Sequence, residues 1–221
     1  LVLQQLKLLL GDFTLNWHAP AAQNRQRDTS ISGFAEVYIN DRSVLNIYSQ
    51  TAIKQQYTQV AQQQRIDGYL QSFLQEGKFS IATNHSQPYV PANKYQMLYF
   101  DQAVLQPTLT LIDQIGKGQW QTKHQSSLNK ISVAAKQFGY QTLLYRHLAT
   151  GSEYIIFKEE TFKNSGELLR HWGTYVLKVG GSSDYIVEVP MPLFEQNTFE
   201  FGSMLFEALD ARAILIAGTH P

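Results

Sequence analysis

Glu188-Val189-Pro190-Met191-Pro192-Leu193-Phe194-Glu195-Gln196-Asn197-Thr198, an amphipathic stretch to Leu209, then Arg212-Ala213-Ile214-Leu215-Ile216-Ala217-Gly218-Thr219-His220-Pro221: these residues read as strand, polar loop, helix and strand. Thr198 suits a helix N-cap, and Glu200 falls in the first turn, where negative charge meets the positive end of the dipole. Ala213 to Ala217 shows no polar alternation, which predicts a central strand paired on both edges and covered on both faces. In α/β sheets the chemistry gathers at the carboxyl ends of strands. Here one strand runs out into a loop bearing Glu195 and the other into Gly218-Thr219-His220.

The rest of the second half alternates in the same manner. Leu128 to Phe138 carries apolar residues mostly on one side of a helix, and Gly139 ends it. Thr142 to Tyr145 and Tyr154 to Phe157 predict strands around a turn at Thr150-Gly151. Thr174 to Val179 and Tyr185 to Val189 predict a second pair of strands around Gly180 to Ser183.

Towards the N-terminus, Leu1 to Leu10 suggests a short helix stopped at Gly11-Asp12, and Phe13 to Trp17 alternates as a half-buried strand does. Residues 19 to 32 are a polar loop. Gly33 to Asn40 and Val44 to Tyr48 flank a tight turn and predict a β-hairpin. A helix over 51–76 follows, apolar at Ile53, Tyr57, Val60, Tyr69, Leu70, Phe73 and Leu74. Residues 83 to 94, with Pro88 and Pro91, form the internal boundary. Tyr95 to Phe100 reads as a strand, and Asp101 and Thr108 as caps of short helical stretches ending at Gly116 to Gly118. The expected fold is α/β (or α+β): a small ββα unit within 1–82 and a mixed sheet with flanking helices within 95–221. The last strand sits so near Pro221 that the loop expected to cap it is not in the sequence, and the start lacks both an initiating Met and a cleavage site.

With 18 basic and 18 acidic side chains in 221 residues, the zero net charge removes the electrostatic case for nucleic acid or an anionic membrane as partner. Absence of cysteine excludes disulfides, thiolate metal sites and a cysteine nucleophile. No segment approaches the roughly 20 apolar residues of a membrane span. Abundant glutamine and charged residues at only 16% lean towards a periplasmic or cell-envelope protein, with the cytoplasm as the alternative. Phosphate loops, Gly-x-Ser-x-Gly elbows and dinucleotide fingerprints do not occur.

Six histidines are present and none is at helical metal spacing; a hydrogen-bonded or surface imidazole is the default for five of them. His220 stands apart because it follows an apolar strand and a glycine. Glu195 can coordinate a cation or polarise water, and it equally suits a solvated site near a helix N-terminus. Glu188 is either buried and paired, if its strand is central, or facing water, if its strand is at an edge. Trp172-Gly173-Thr174-Tyr175 reads as a cleft lining or as core.

Trp172 to Tyr175, Glu188 to Pro192, Glu195 with Thr198, and Ala217 to His220 resemble the zinc-dependent amidohydrolases and carboxypeptidases of the N-formylglutamate amidohydrolase and poly-γ-glutamate hydrolase type, over about residues 172–221. The resemblance implies zinc held by a histidine and a nearby glutamate after one strand and by a further histidine elsewhere; Glu195 and His220 match these ligand types. Met191 stands where the first histidine is expected. Because a thioether is a poor zinc ligand and catalytic zinc keeps three protein ligands, His18, after the first predicted strand, is the expected third. The implied function is metal-dependent hydrolysis of an amide or peptide-like bond in a small molecule or polymer. The alternative is a non-catalytic binding or accessory module of a bacterial envelope protein.

Overall fold

The structure is a computed structural model that describes residues 14–18, 34–39, 42–48, 65–82, 89–161, 170–193 and 197–219. The expected helix at 1–10, the loop at 19–32, residues 51–64 of the expected long helix and residues 83–88 of the 83–94 boundary lie outside the described residues. In the N-terminal part, β1 (Thr14–His18), β2 (Phe34–Ile39) and β3 (Arg42–Tyr48) form an antiparallel three-stranded sheet in that order. Ile39 pairs with Arg42, so β2 and β3 pair antiparallel as the expected hairpin requires.

The remaining strands make a mixed six-stranded sheet of order β4-β5-β6-β7-β9-β8. They are β4 (Arg65–Gly68), β5 (Tyr140–His147), β6 (Glu153–Glu159), β7 (Thr174–Val179), β8 (Ile186–Val189) and β9 (Ala213–Ile216). β4 runs parallel to β5, and β8 parallel to β9; the other neighbours are antiparallel. Helices cover both faces, as the α/β expectation requires. Leu70 and Leu74 of α1 (Leu70–Lys78) and Phe199 and Phe206 of α5 (Thr198–Ala208) pack with Leu143, Ile156, Val176 and Ile214 on one face. On the other face, α2 (Lys94–Phe100), α3 (Gln106–Ile115) and α4 (Gln125–Lys136) set Phe100, Leu111 and Leu128 against Leu144, Ile155, Phe157 and Leu177. Successive residues of β6 thus enter opposite cores, because side chains alternate along a strand and both faces are covered.

Three expectations need correction. Tyr95 to Phe100 is helix: Asn93 Oδ1 accepts from the Gln96 amide at 2.9 Å while Gln96 Oε1 accepts from the Asn93 amide at 3.0 Å, a reciprocal cap that outweighs the strand propensity of the aromatics. The helix then continues through a π-helical segment, Asp101–Leu105, into α3, so neither Asp101 nor Thr108 starts a helix as expected. Secondly, the helix expected over 51–76 contains a strand at 65–68, which pairs with β5; among the described residues of that span, the helix begins at Leu70. Gly68 allows this approach, since a Cβ there would lie 2.4 Å from the Tyr145 hydroxyl. β4 and α1 therefore belong to the six-stranded sheet and its helical cover. Thirdly, β7 and β8 are not a hairpin, because β9 inserts between them. The uniformly apolar β9 takes the doubly covered place, and β8, alternately exposed and buried, takes the edge.

Candidate functional site

β8, α5 and β9 form a parallel crossover, so the carboxyl ends of β8 and β9 emerge side by side at one edge of the sheet. The Ala217 amide donates to the Val189 carbonyl at 3.0 Å and carries the pairing past the last regular residues. Asn197, in a left-handed conformation (φ 63°), precedes α5, and Thr198 is its first residue, one place beyond the expected cap. Glu188 faces water, as an edge strand dictates, and Met191 is exposed.

A second turn closes on the same edge, because β7 starts opposite the end of β9 with Thr174 paired to Ile216. Glu159, at the end of β6, is buried, and its carboxylate accepts from four successive backbone amides. Oε1 takes Arg170 and His171 (3.0 Å), and Oε2 takes Trp172 (2.8 Å) and Gly173 (3.4 Å). This clamp holds His171 at φ 59°, a conformation uncommon outside glycine but one histidine tolerates better than most. Gly173 (φ 99°) and Gly218 let the turn touch the exit of β9: a Cβ on Gly173 would lie 2.1 Å from the Ile216 carbonyl, and one on Gly218 would lie 2.6 Å from the His171 carbonyl carbon.

The His171 ring is buried, with Nδ1 3.2 Å from the Gly218 carbonyl oxygen. A carbonyl only accepts, so Nδ1 carries the proton of this contact and Nε2 is the lone-pair nitrogen of the neutral ring. The Arg170 guanidinium stacks 4.7 Å from the Trp172 ring centroid and donates to the Phe138 carbonyl at 2.7 Å. Burial lowers its pKa and the charge of Glu159 opposes that shift. Trp172 donates from its indole to the Val90 carbonyl at 2.6 Å, and Tyr175 packs on the core beside it, so the core reading holds for these aromatics. Beside the turn, Phe73, Ile81, Lys158, Gly173, Phe199 and Gly218 line a narrow recess.

Glu195 and His220 lie outside the described residues; their nearest described neighbours, Leu193, Asn197 and Thr219, belong to the loops leaving β8 and β9. His18 closes β1, pairing through its backbone with Phe34, and its side chain is also outside the description. Among the described residues, no three His, Asp or Glu side chains cluster as a metal-binding group. Two other histidines are built into the scaffold. His124 Nδ1 accepts from the Gln121 amide at 3.1 Å, while His147 accepts from the Ala149 amide at Nδ1 and approaches Glu207 with Nε2 at 3.3 Å. Sequence reasoning missed Glu159 and His171. The available signal was an acidic residue ending a strand with an apolar centre, Tyr154 to Phe157, and a histidine directly before Trp172-Gly173. Comparison with protein-family models, with curated proteins and with solved structures finds no match.

Proposed function

We propose that the carboxyl edge of β8 and β9 is the site of a metal-dependent hydrolase acting on an amide or peptide-like bond, in a small molecule or an envelope polymer. The observation that carries this reading is the parallel β8-α5-β9 crossover, which sends the loops bearing Glu195 and His220 out of adjacent strand ends. Glu195 and His220 would hold the metal, with His18 as the third protein donor. Zinc, when bound, supplies a water whose pKa is lowered to about 7. The chain's own contribution is to hold its donors on strand exits that are tied to the core and to each other. Metal content decides the question. Protein purified after zinc-replete expression should carry one zinc per chain and lose it to a chelator; a metal-free protein under those conditions would sink the reading.

The second reading, a binding or accessory module of the cell envelope, is favoured by Met191. Its exposed thioether, a poor zinc donor, stands where the resemblance calls for histidine. Met191→His separates the two: a degenerate site should gain zinc affinity by this change, whereas a surface never built for metal should not.

A further inference from the structure

We propose that the groove between α3 and α4 binds a sugar acid, a ligand that carries hydroxyl groups and one carboxylate. The groove has a volume of about 480 Å³, within the range of small-molecule sites, and every residue lining it is described. It lies among the helices that cover the face of the sheet away from α1 and α5, and it shares no residue with the metal-dependent reading above. Leu111 and Ile131 are its buried floor, and polar side chains form its exposed rim.

The backbone of one wall is irregular. The Gln106 amide donates to the Asp101 carbonyl five residues back, and π segments of this kind are frequent at functional sites. Pro107 follows and has no N–H, so the Ala103 carbonyl, four residues before it, receives no donor from that position. Gln106, Thr110 and Gln114 recur at four-residue spacing, which sets their Cβ atoms about 5–6 Å apart along one side of the groove. Thr110 Oγ1 donates its hydrogen to the Gln106 carbonyl at 2.9 Å and keeps its lone pairs for a donor from outside. Gln106 Nε2 meets Asp101 only at 3.4 Å, and among the described residues the side chains of Gln114 and Lys130 have no partner. A glutamine amide both donates and accepts, as a hydroxyl group does, and the Thr110 and main-chain acceptors call for donors that hydroxyls supply and a bare anion lacks. On the facing helix α4, Lys130 is the charged residue of the lining, and no carboxylate lines the groove to neutralise it. An ammonium beside a row of amides and hydroxyls selects a carboxylate at that end of the ligand.

Titration of the full chain with galacturonate tests the assignment, followed by NMR and calorimetry in the presence of a chelator so that metal takes no part. Galacturonate should bind saturably and shift the side-chain amide resonances of Gln106 and Gln114. Galactose, which lacks the carboxylate, and acetate, which lacks the hydroxyls, should each bind at least about tenfold more weakly, since hydrogen bonds to a charged group contribute that much. Lys130→Gln should bring galacturonate down to the level of galactose and leave galactose unchanged, whereas Gln114→Leu should weaken both sugars. Both positions are exposed, so neither change should disturb the fold. Absence of saturable binding, galactose or acetate binding as well as galacturonate, or wild-type affinity in Lys130→Gln overturns the proposal. So do wild-type spectra in which the Gln106 and Gln114 amides stay unmoved, a result that needs no variant. A trimer of galacturonate identifies the source of the ligand: tighter binding than the monomer assigns an acidic polysaccharide, and equal binding a free sugar acid. Zinc uptake enters none of these measurements, so failure here leaves the hydrolase reading standing.

Discussion

Glu159 shows how much one residue can organise. Its four amide partners are successive residues of a single turn, and each buried donor left without an acceptor costs about 1–3 kcal/mol. Glu159→Ala should therefore lower stability by several kcal/mol and Glu159→Gln by less, since one carbonyl oxygen remains. Urea midpoints compare the three proteins, and an unchanged midpoint for the alanine variant would show that the clamp contributes nothing. Two glycines make a matched pair at the same scale. A methyl group on Gly173 would collide with the Ile216 carbonyl, whereas one on Gly77, inside α1, meets nothing within 4 Å. Gly77→Ala should raise stability by about 0.5–1 kcal/mol through helix propensity. Gly173→Ala should lower it, and equal midpoints for both variants would contradict the close contact between turn and strand.

Among elements, position in the sheet decides what a side chain is worth. Ile214 of β9 is 0% exposed and Ile186 of β8 is 55% exposed, although the two strands are adjacent. Ile214→Ala should cost about 2–5 kcal/mol by loss of burial and creation of a cavity, whereas Ile186→Ala should stay within roughly 0.5 kcal/mol of the wild type. Similar losses at both positions, read from thermal or urea unfolding, would place β8 in the interior. α1 and α5 lie antiparallel and are joined at both ends, by Lys78 with Glu200 (2.5 Å) and by Gln71 with Glu207 (2.9 Å). Each member of the ion pair also sits at the helix end its charge favours. The Lys78 hydrogen bond holds the Glu200 carboxyl below its ordinary value of 4.5. A carboxylate with a lowered folded pKa stabilises the fold above its ordinary value and ceases to do so as pH falls through the folded value. The stability difference between the wild type and Lys78→Ala should thus be present at about pH 7 and shrink in acid. Both groups are about a third exposed, so solvent screening keeps it small. A difference that grows on acidification would assign the pair the wrong sign.

At the scale of the molecule, one sheet covered by helices on both faces gives two apolar cores that share every central strand. Backbone amides of β6, β7 and β9 should therefore exchange with solvent only on global opening, and those of the edge strands β4 and β8 sooner. Hydrogen exchange followed by NMR tests this, and faster exchange in β9 than in β8 would refute the strand order. Among the described residues no helix is long and apolar enough to cross a membrane.

The sequence alone determined those elements whose pattern is set by local burial on a regular period. β9 is apolar at every position because both faces are covered, β5 and β6 have apolar centres at Leu143 to Tyr145 and Tyr154 to Phe157, and α4 carries its stripe at helical spacing, so all four were legible. The strand-helix-strand order between Ile186 and Ile216 was legible as well, though not the pairing of its two strands, since β8 was expected beside β7. What the tertiary structure decided was whatever depends on partners distant in the chain. Insertion of β9 between β7 and β8 depends on competition among strands for the doubly covered place, and no local pattern in β7 or β8 records it. Arg65 to Gly68 is too short and too polar to announce a strand until β5 offers its edge. Helix at Lys94–Phe100 rests on one reciprocal cap that outweighs the aromatic composition. The clamp is the clearest case, because Glu159 reaches its amides across eleven to fourteen residues and His171 reaches Gly218 across forty-seven. A histidine's tautomer and a glycine's close approach are properties of two chain segments at once, so they exist only when the fold has brought those segments together.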